Sequence, residues 1–169
     1  MKRIGIILVI LHAALLVHAQ QGLPIDKLFQ GQVIPQERMM ETKVRGKMVA
    51  KYQLSYFHSL RFFATPSEAH LIMTLIDMGD PHKESKQEKS VMSTNTTETR
   101  MIRLEPQGKQ NRYLCAKMNK KNSKRVEMVV IYMEGTLSSL EKMKEILKES
   151  ETLNTVITKR SRIWKGLLF

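Results

Sequence analysis

A mainly β domain with one amphipathic helix near its C-terminal end is the fold class this sequence predicts. Three observations carry it. Apolar and polar residues alternate with period two over several short stretches. Two of these stretches are joined by a brief polar link, as in a hairpin, and beyond residue 137 the apolar spacing lengthens to that of a helix. Composition agrees: 169 residues with 42% hydrophobic and 26% charged side chains suit one domain and exclude wholesale disorder.

The first nineteen residues read as a processing segment. Lys2 and Arg3 precede an apolar run, Ile4 to Val17, broken only by His12, and Val17-His18-Ala19 offers the small residues of a cleavage site. The run is shorter than the about 20 residues a spanning helix needs. Residues 1–19 are therefore expected to be a secretory signal peptide and residues 20–169 a single domain. Removing its two basic residues lowers the net charge from +12 to +10. With no later span apolar enough to cross a membrane, the product is expected to be secreted, extracellular and cationic.

Residues 20–37 form a weakly patterned lead containing Pro24 and Pro35. In Lys51 to Tyr56 the alternation places Tyr52, Leu54 and Tyr56 on one face of a strand, which Leu60 to Phe63 extends up to Pro66-Ser67. Leu71 to Met78 is a short, nearly continuous apolar run closed by Gly79-Asp80-Pro81, and its bounded length favours a strand. The polar stretch from Gly79 to Arg100 is too long for a structureless loop, so a short edge strand is expected around Val91-Met92. Asn95-Thr96-Thr97 within it is an N-glycosylation acceptor triplet, with Asn95 as the candidate site.

Met101 to Leu104 begins a strand that ends at Pro106-Gln107-Gly108. In Tyr113 to Asn119, Leu114, Ala116 and Met118 point one way, and Tyr113, Cys115 and Lys117 the other. A hydrophilic turn leads to Val126 to Met133, and the pair makes an antiparallel hairpin. Ser138 with Glu141 three residues on reads as a capping box opening a helix on which Leu140, Met143, Ile146 and Leu147 share a stripe. A short extended piece, Thr155 to Lys159, and a basic tail with Ile163-Trp164 follow. A single sheet with a helix on one side and a closed antiparallel barrel both fit this order.

Catalytic chemistry is not in evidence. His58, His70 and His82 stand in no nucleophile motif, no Gly-rich phosphate loop occurs, and the single cysteine excludes thiolate zinc sites and internal disulfides. No enzyme activity, metal or cofactor is expected. Cys115 falls in a core-like strand, where burial is favoured over an intermolecular bridge. Two basic clusters are candidate polyanion contacts: Lys120, Lys121, Lys124 and Arg125 at the hairpin tip, and Lys159, Arg160 and Arg162 in the tail. Secretion favours an anionic cell surface or glycan over nucleic acid as the partner. Twelve methionines, many on expected strands, suit an adaptable apolar lining as well as ordinary core filling.

The stretch from Asn111 to Ile157, two strands leading into a helix and then a short strand, resembles the end of a lipocalin. The likeness to divergent lipocalins of the male reproductive tract lies in Met128-Val129-Val130-Ile131-Tyr132 and in Leu137-Ser138-Ser139-Leu140-Glu141-Lys142-Met143-Lys144-Glu145. Asp26-Lys27-Leu28-Phe29-Gln30-Gly31-Gln32-Val33 resembles the family's opening, with Val33 where that opening normally ends in tryptophan. Glu134 falls near an arginine that normally packs over it.

The resemblance implies an eight-stranded antiparallel up-and-down barrel with one C-terminal α-helix packed outside. It implies a carrier that binds a small hydrophobic or amphiphilic, and with this charge anionic, ligand inside. Strand parity nominates Leu54, Tyr56, Met73, Leu75, Met118, Met128 and Tyr132 as wall residues. The alternative is a secreted cationic signalling, host-defence or glycan-binding protein without an interior ligand.

Overall fold

The computed structural model describes residues 22–79, 89–120 and 124–147. The expected signal peptide, Lys121, the extended piece at 155–159 and the tail residues Lys159, Arg160 and Arg162 lie outside the described residues.

Among the described residues, six strands build one antiparallel sheet: β1 (Met39–Arg45), β2 (Leu54–Ala64), β3 (Lys89–Ser93), β4 (Thr97–Gln107), β5 (Gln110–Asn119) and β6 (Val126–Gly135). Their spatial order is β1-β2-β6-β5-β4-β3. Among the described residues the sheet is open, with β1 and β3 as its edges, where the resemblance to lipocalins implied an eight-stranded up-and-down barrel. The reason is topological. An up-and-down barrel sets each strand beside its successor, whereas here β6 slots between β2 and β5. After β2 the chain leaves the sheet in a helix and re-enters at the far edge.

That helix is α3 (Pro66–Met78), and it overturns the expected strand at Leu71 to Met78. Thr65 caps it: the Glu68 amide donates to Thr65 Oγ1 at 3.2 Å, and the Thr65 amide donates to Glu68 Oε2 at 2.7 Å. Pro66 occupies the first turn, where a missing N–H costs nothing. Ala69, Ile72, Met73 and Ile76 then fall at helical spacing and are buried, while Leu71 is 48% exposed. The reciprocal cap sets a period of 3.6 on a run whose composition alone reads equally well with period two.

The sheet carries an apolar layer on each face. On the first, α3 packs with Leu60, Phe62, Ala116, Met118, Met128 and Val130. The lead contributes here too, through α1 (Asp26–Phe29) and its neighbours: Ile25, Leu28 and Ile34 are fully buried. Met101, Tyr113, Cys115 and Met133 line the second face beneath Leu137, Leu140 and Met143, and Val49 of α2 (Lys47–Ala50) joins them. The C-terminal helix α4 (residues 140–147) thus packs on the side of the sheet away from α3. Its hydroxyl cap is Ser139, which accepts from the Lys142 amide at 3.3 Å, one residue later than the expected Ser138–Glu141 box.

The hairpin is as expected. β5 and β6 pair from Asn111↔Gly135 to Asn119↔Glu127. Leu114, Ala116 and Met118 go to the first face, Tyr113 and Cys115 to the second, and Cys115 is buried. The edge strand around Val91-Met92 is β3, paired with β4 alone.

At the start of β2 the alternation breaks. A register shift between Leu54 and Tyr56 sends Leu54 to the second face and Tyr56 to the first, and Tyr52 lies in the preceding turn. The chain is tight at this corner. Gln53 has φ 60°, its carbonyl accepts from the Thr136 amide at 2.9 Å, and a Cβ on Gly135 would collide with that carbonyl. Only glycine lets β6 pass so close.

Candidate functional site

A groove of about 380 Å³ opens on the first face, between the N-terminal half of α3 and the ends of β4, β5 and β6. This volume lies toward the small end of ligand pockets. Its floor is apolar. Ala69 and Met73 come from one side of α3, and Met118 and Val126 from the flanks of the hairpin. Pro66 and His70 stand along the helix side of the mouth.

The opposite rim is charged. In strand β4 the alternation puts Glu98 and Arg100 on the groove face, opposite Met118 and Ala116 of β5. Glu98 Oε1 accepts from Arg100 Nε at 3.0 Å and from Arg100 Nη2 at 2.8 Å, and Glu98 Oε2 accepts from Lys120 Nζ at 3.0 Å. Arg100 Nη1 also pairs with Asp77 near the end of α3. Burial by itself pushes the Glu98 carboxyl upward, but hydrogen bonds from Lys120 and Arg100 outweigh it and hold the group below the usual carboxylate range. Glu98 therefore stays ionised at neutral pH. Lys120 is anchored through its backbone, whose amide donates to Thr96 O at 2.7 Å.

Of the wall residues expected from parity, the groove gathers two, Met73 and Met118. Tyr56, Met128 and Tyr132 are buried within the first-face core, and Leu75 packs half-buried at its margin. Leu54 belongs to the other face. No interior wall brings the seven together, because the sheet is open and its first face is filled by α1 and α3. The Tyr132 hydroxyl donates to Glu134 Oε1 at 2.6 Å; burial, then this bond, push it far above the ordinary tyrosine value.

Among the basic candidates, Lys120 reaches the groove, and Lys124 and Arg125 are exposed just ahead of β6. Asn95 is exposed in the β3–β4 turn, where the Thr97 amide donates to Thr94 Oγ1 at 3.0 Å. Sequence reasoning missed Ala69, His70, Glu98, Arg100 and Val126. For Glu98 and Arg100 a signal exists: Thr97-Glu98-Thr99-Arg100 reads as a strand that places both charges on one side. For the α3 residues it was the capping box.

A second polar cluster lies away from the groove. His58, 2% exposed on β2, has Nε2 2.7 Å from Glu41 Oε1, and Glu41 also pairs with Lys43 at 2.8 Å. The Phe29 ring centroid is 4.6 Å from that of His58. Burial lowers the His58 pKa against the opposing pull of Glu41. Among the described residues no group of three or more His, Cys, Asp or Glu side chains is placed to hold a metal ion, and no helix is long and apolar enough to cross a membrane.

Comparison with curated protein sequences and with solved structures returns no match. A profile described as a family of unknown function, DUF6108, matches residues 12–147. That span takes in all six strands, α3 and both sides of the groove, and the chain belongs to this family.

Proposed function

We propose that the protein is a secreted, non-catalytic binding protein that takes a small amphiphilic anion in the groove beneath α3. One observation carries this reading: an apolar floor of Ala69, Met73, Met118 and Val126 lies beside a rim bearing Arg100 and Lys120. Burying hydrocarbon on the floor supplies affinity at roughly 25 cal/mol per Å². The rim orients the charged end, and Lys124 and Arg125 add attraction over a longer range. The thioethers of Met73 and Met118 suit acyl chains of varied shape.

Titration with a fluorescent long-chain fatty acid tests this. Saturable binding is expected, displaced by unlabelled fatty acid. His70→Trp, at an exposed helix position on the mouth, should fill the groove and abolish it. Absence of saturable binding, or binding indifferent to His70→Trp, overturns the proposal. The second reading is contact with an anionic glycan through exposed Lys120, Lys124 and Arg125. It predicts retention on heparin that persists in His70→Trp and falls when those three are changed to Ala.

A further inference from the structure

We infer that Glu98 is a built-in stand-in for the ligand's carboxylate and sets the charge selectivity of the groove. The inference rests on the ligand reading given above. Among the described residues lining the groove Glu98 is the one carboxylate, and it bridges Arg100 and Lys120, one through each oxygen. Its side chain is 15% exposed, so it is set into the rim, whereas Lys120 is 47% exposed and free to swing toward a newcomer. An incoming carboxylate must therefore compete with Glu98 for the same donors.

Arg100 does not depend on Glu98 alone for its position, and Lys120 keeps its backbone place without it. Arg100 is held from the helix side by Asp77, and its Nη1 also donates to Met73 O at 3.5 Å. The Lys120 backbone is fixed by Thr96. Neutralising Glu98 thus leaves Arg100 aimed and the Lys120 ammonium tethered beside it, with one competitor fewer, and the lining charge rises by one unit. A neutral ligand gains nothing from that change, because it uses only the apolar floor. Glu98 consequently weakens binding of acids relative to neutral analogues of equal length, and admits only ligands whose apolar part supplies enough affinity to displace it.

The test compares wild type with Glu98→Gln, using a fluorescent polyene fatty acid and its methyl ester as probes. Gln keeps the shape and still accepts a bond from Arg100. The acid is expected to bind Glu98→Gln about three- to fivefold more tightly than wild type, the upper part of the range for a partly exposed charge pair. The ester should change by less than about twofold, the scatter allowed to a neutral contact. Wild-type binding of the acid with no gain in Glu98→Gln, or an equal gain for both probes, overturns the inference and leaves the groove reading standing. If neither protein binds either probe, the groove reading itself fails. Matching circular dichroism spectra and urea midpoints separate these outcomes from misfolding.

Discussion

The Leu137 carbonyl is held by two donors, and removing them singly or together should give sharply different costs. Tyr113 Oη donates to it at 2.6 Å and Asn111 Nδ2 at 2.9 Å, in the connection that carries the chain from β6 to α4. Leu137 is 2% exposed, so water does not take over a lost bond. Tyr113→Phe keeps the ring in the second-face core and leaves Asn111 on the carbonyl, so it should cost about 1 kcal/mol, the net worth of one hydrogen bond. Asn111→Ala leaves Tyr113 in place and costs a similar amount, plus about 1 kcal/mol for the bond it accepts from Arg103 at 2.8 Å. The double variant orphans a buried acceptor. Desolvation of that group adds about 1–3 kcal/mol beyond the sum of the singles. Urea unfolding followed by circular dichroism measures all four corners of the cycle, and the Arg103 contribution cancels in the coupling. Additivity to within about 0.5 kcal/mol would refute the shared acceptor.

Two further outcomes are expected. Thr65→Ala removes one half of the α3 cap and should lower unfolding stability by about 1 kcal/mol, read from the urea midpoint; an unchanged midpoint would mean that Pro66 and packing alone start the helix. His58 should make stability pH-dependent. Its folded pKa lies below 6.5, so between the two values the unfolded chain binds more protons, and stability is full above pH 6.5 and declines as pH falls through the folded value. The thermal midpoint of wild type should drop across that window while His58→Gln stays flat; parallel profiles would remove His58 as the cause.

The hairpin shows how far local pattern reaches. Leu114, Ala116 and Met118 alternate with Tyr113 and Cys115, and strand geometry turns that alternation directly into two buried faces. Leu140 and Met143 likewise reveal which side of α4 is covered. Leu71 to Met78 shows the limit. Its composition is compatible with either period, and the deciding residues, Thr65 and Glu68, sit outside the run. At Leu54 and Tyr56 a register shift, invisible to parity, sends two neighbours of one strand to opposite layers.

From sequence alone came strands β2 to β6, the β5–β6 hairpin, the amphipathic C-terminal helix and the buried Cys115, because each depends on contacts between near neighbours, whereas β1, α1, α2 and the helical state of α3 did not. Tertiary structure alone decided that the sheet stays open, that β6 lies between β2 and β5, and that a groove forms under α3. It also brought Asp77, Glu98, Arg100 and Lys120 into one charged rim. Glu98 and Arg100 share β4, but Asp77 comes from α3 and Lys120 from just past the end of β5, and their meeting depends on the crossover through α3, which no periodicity within a single segment encodes.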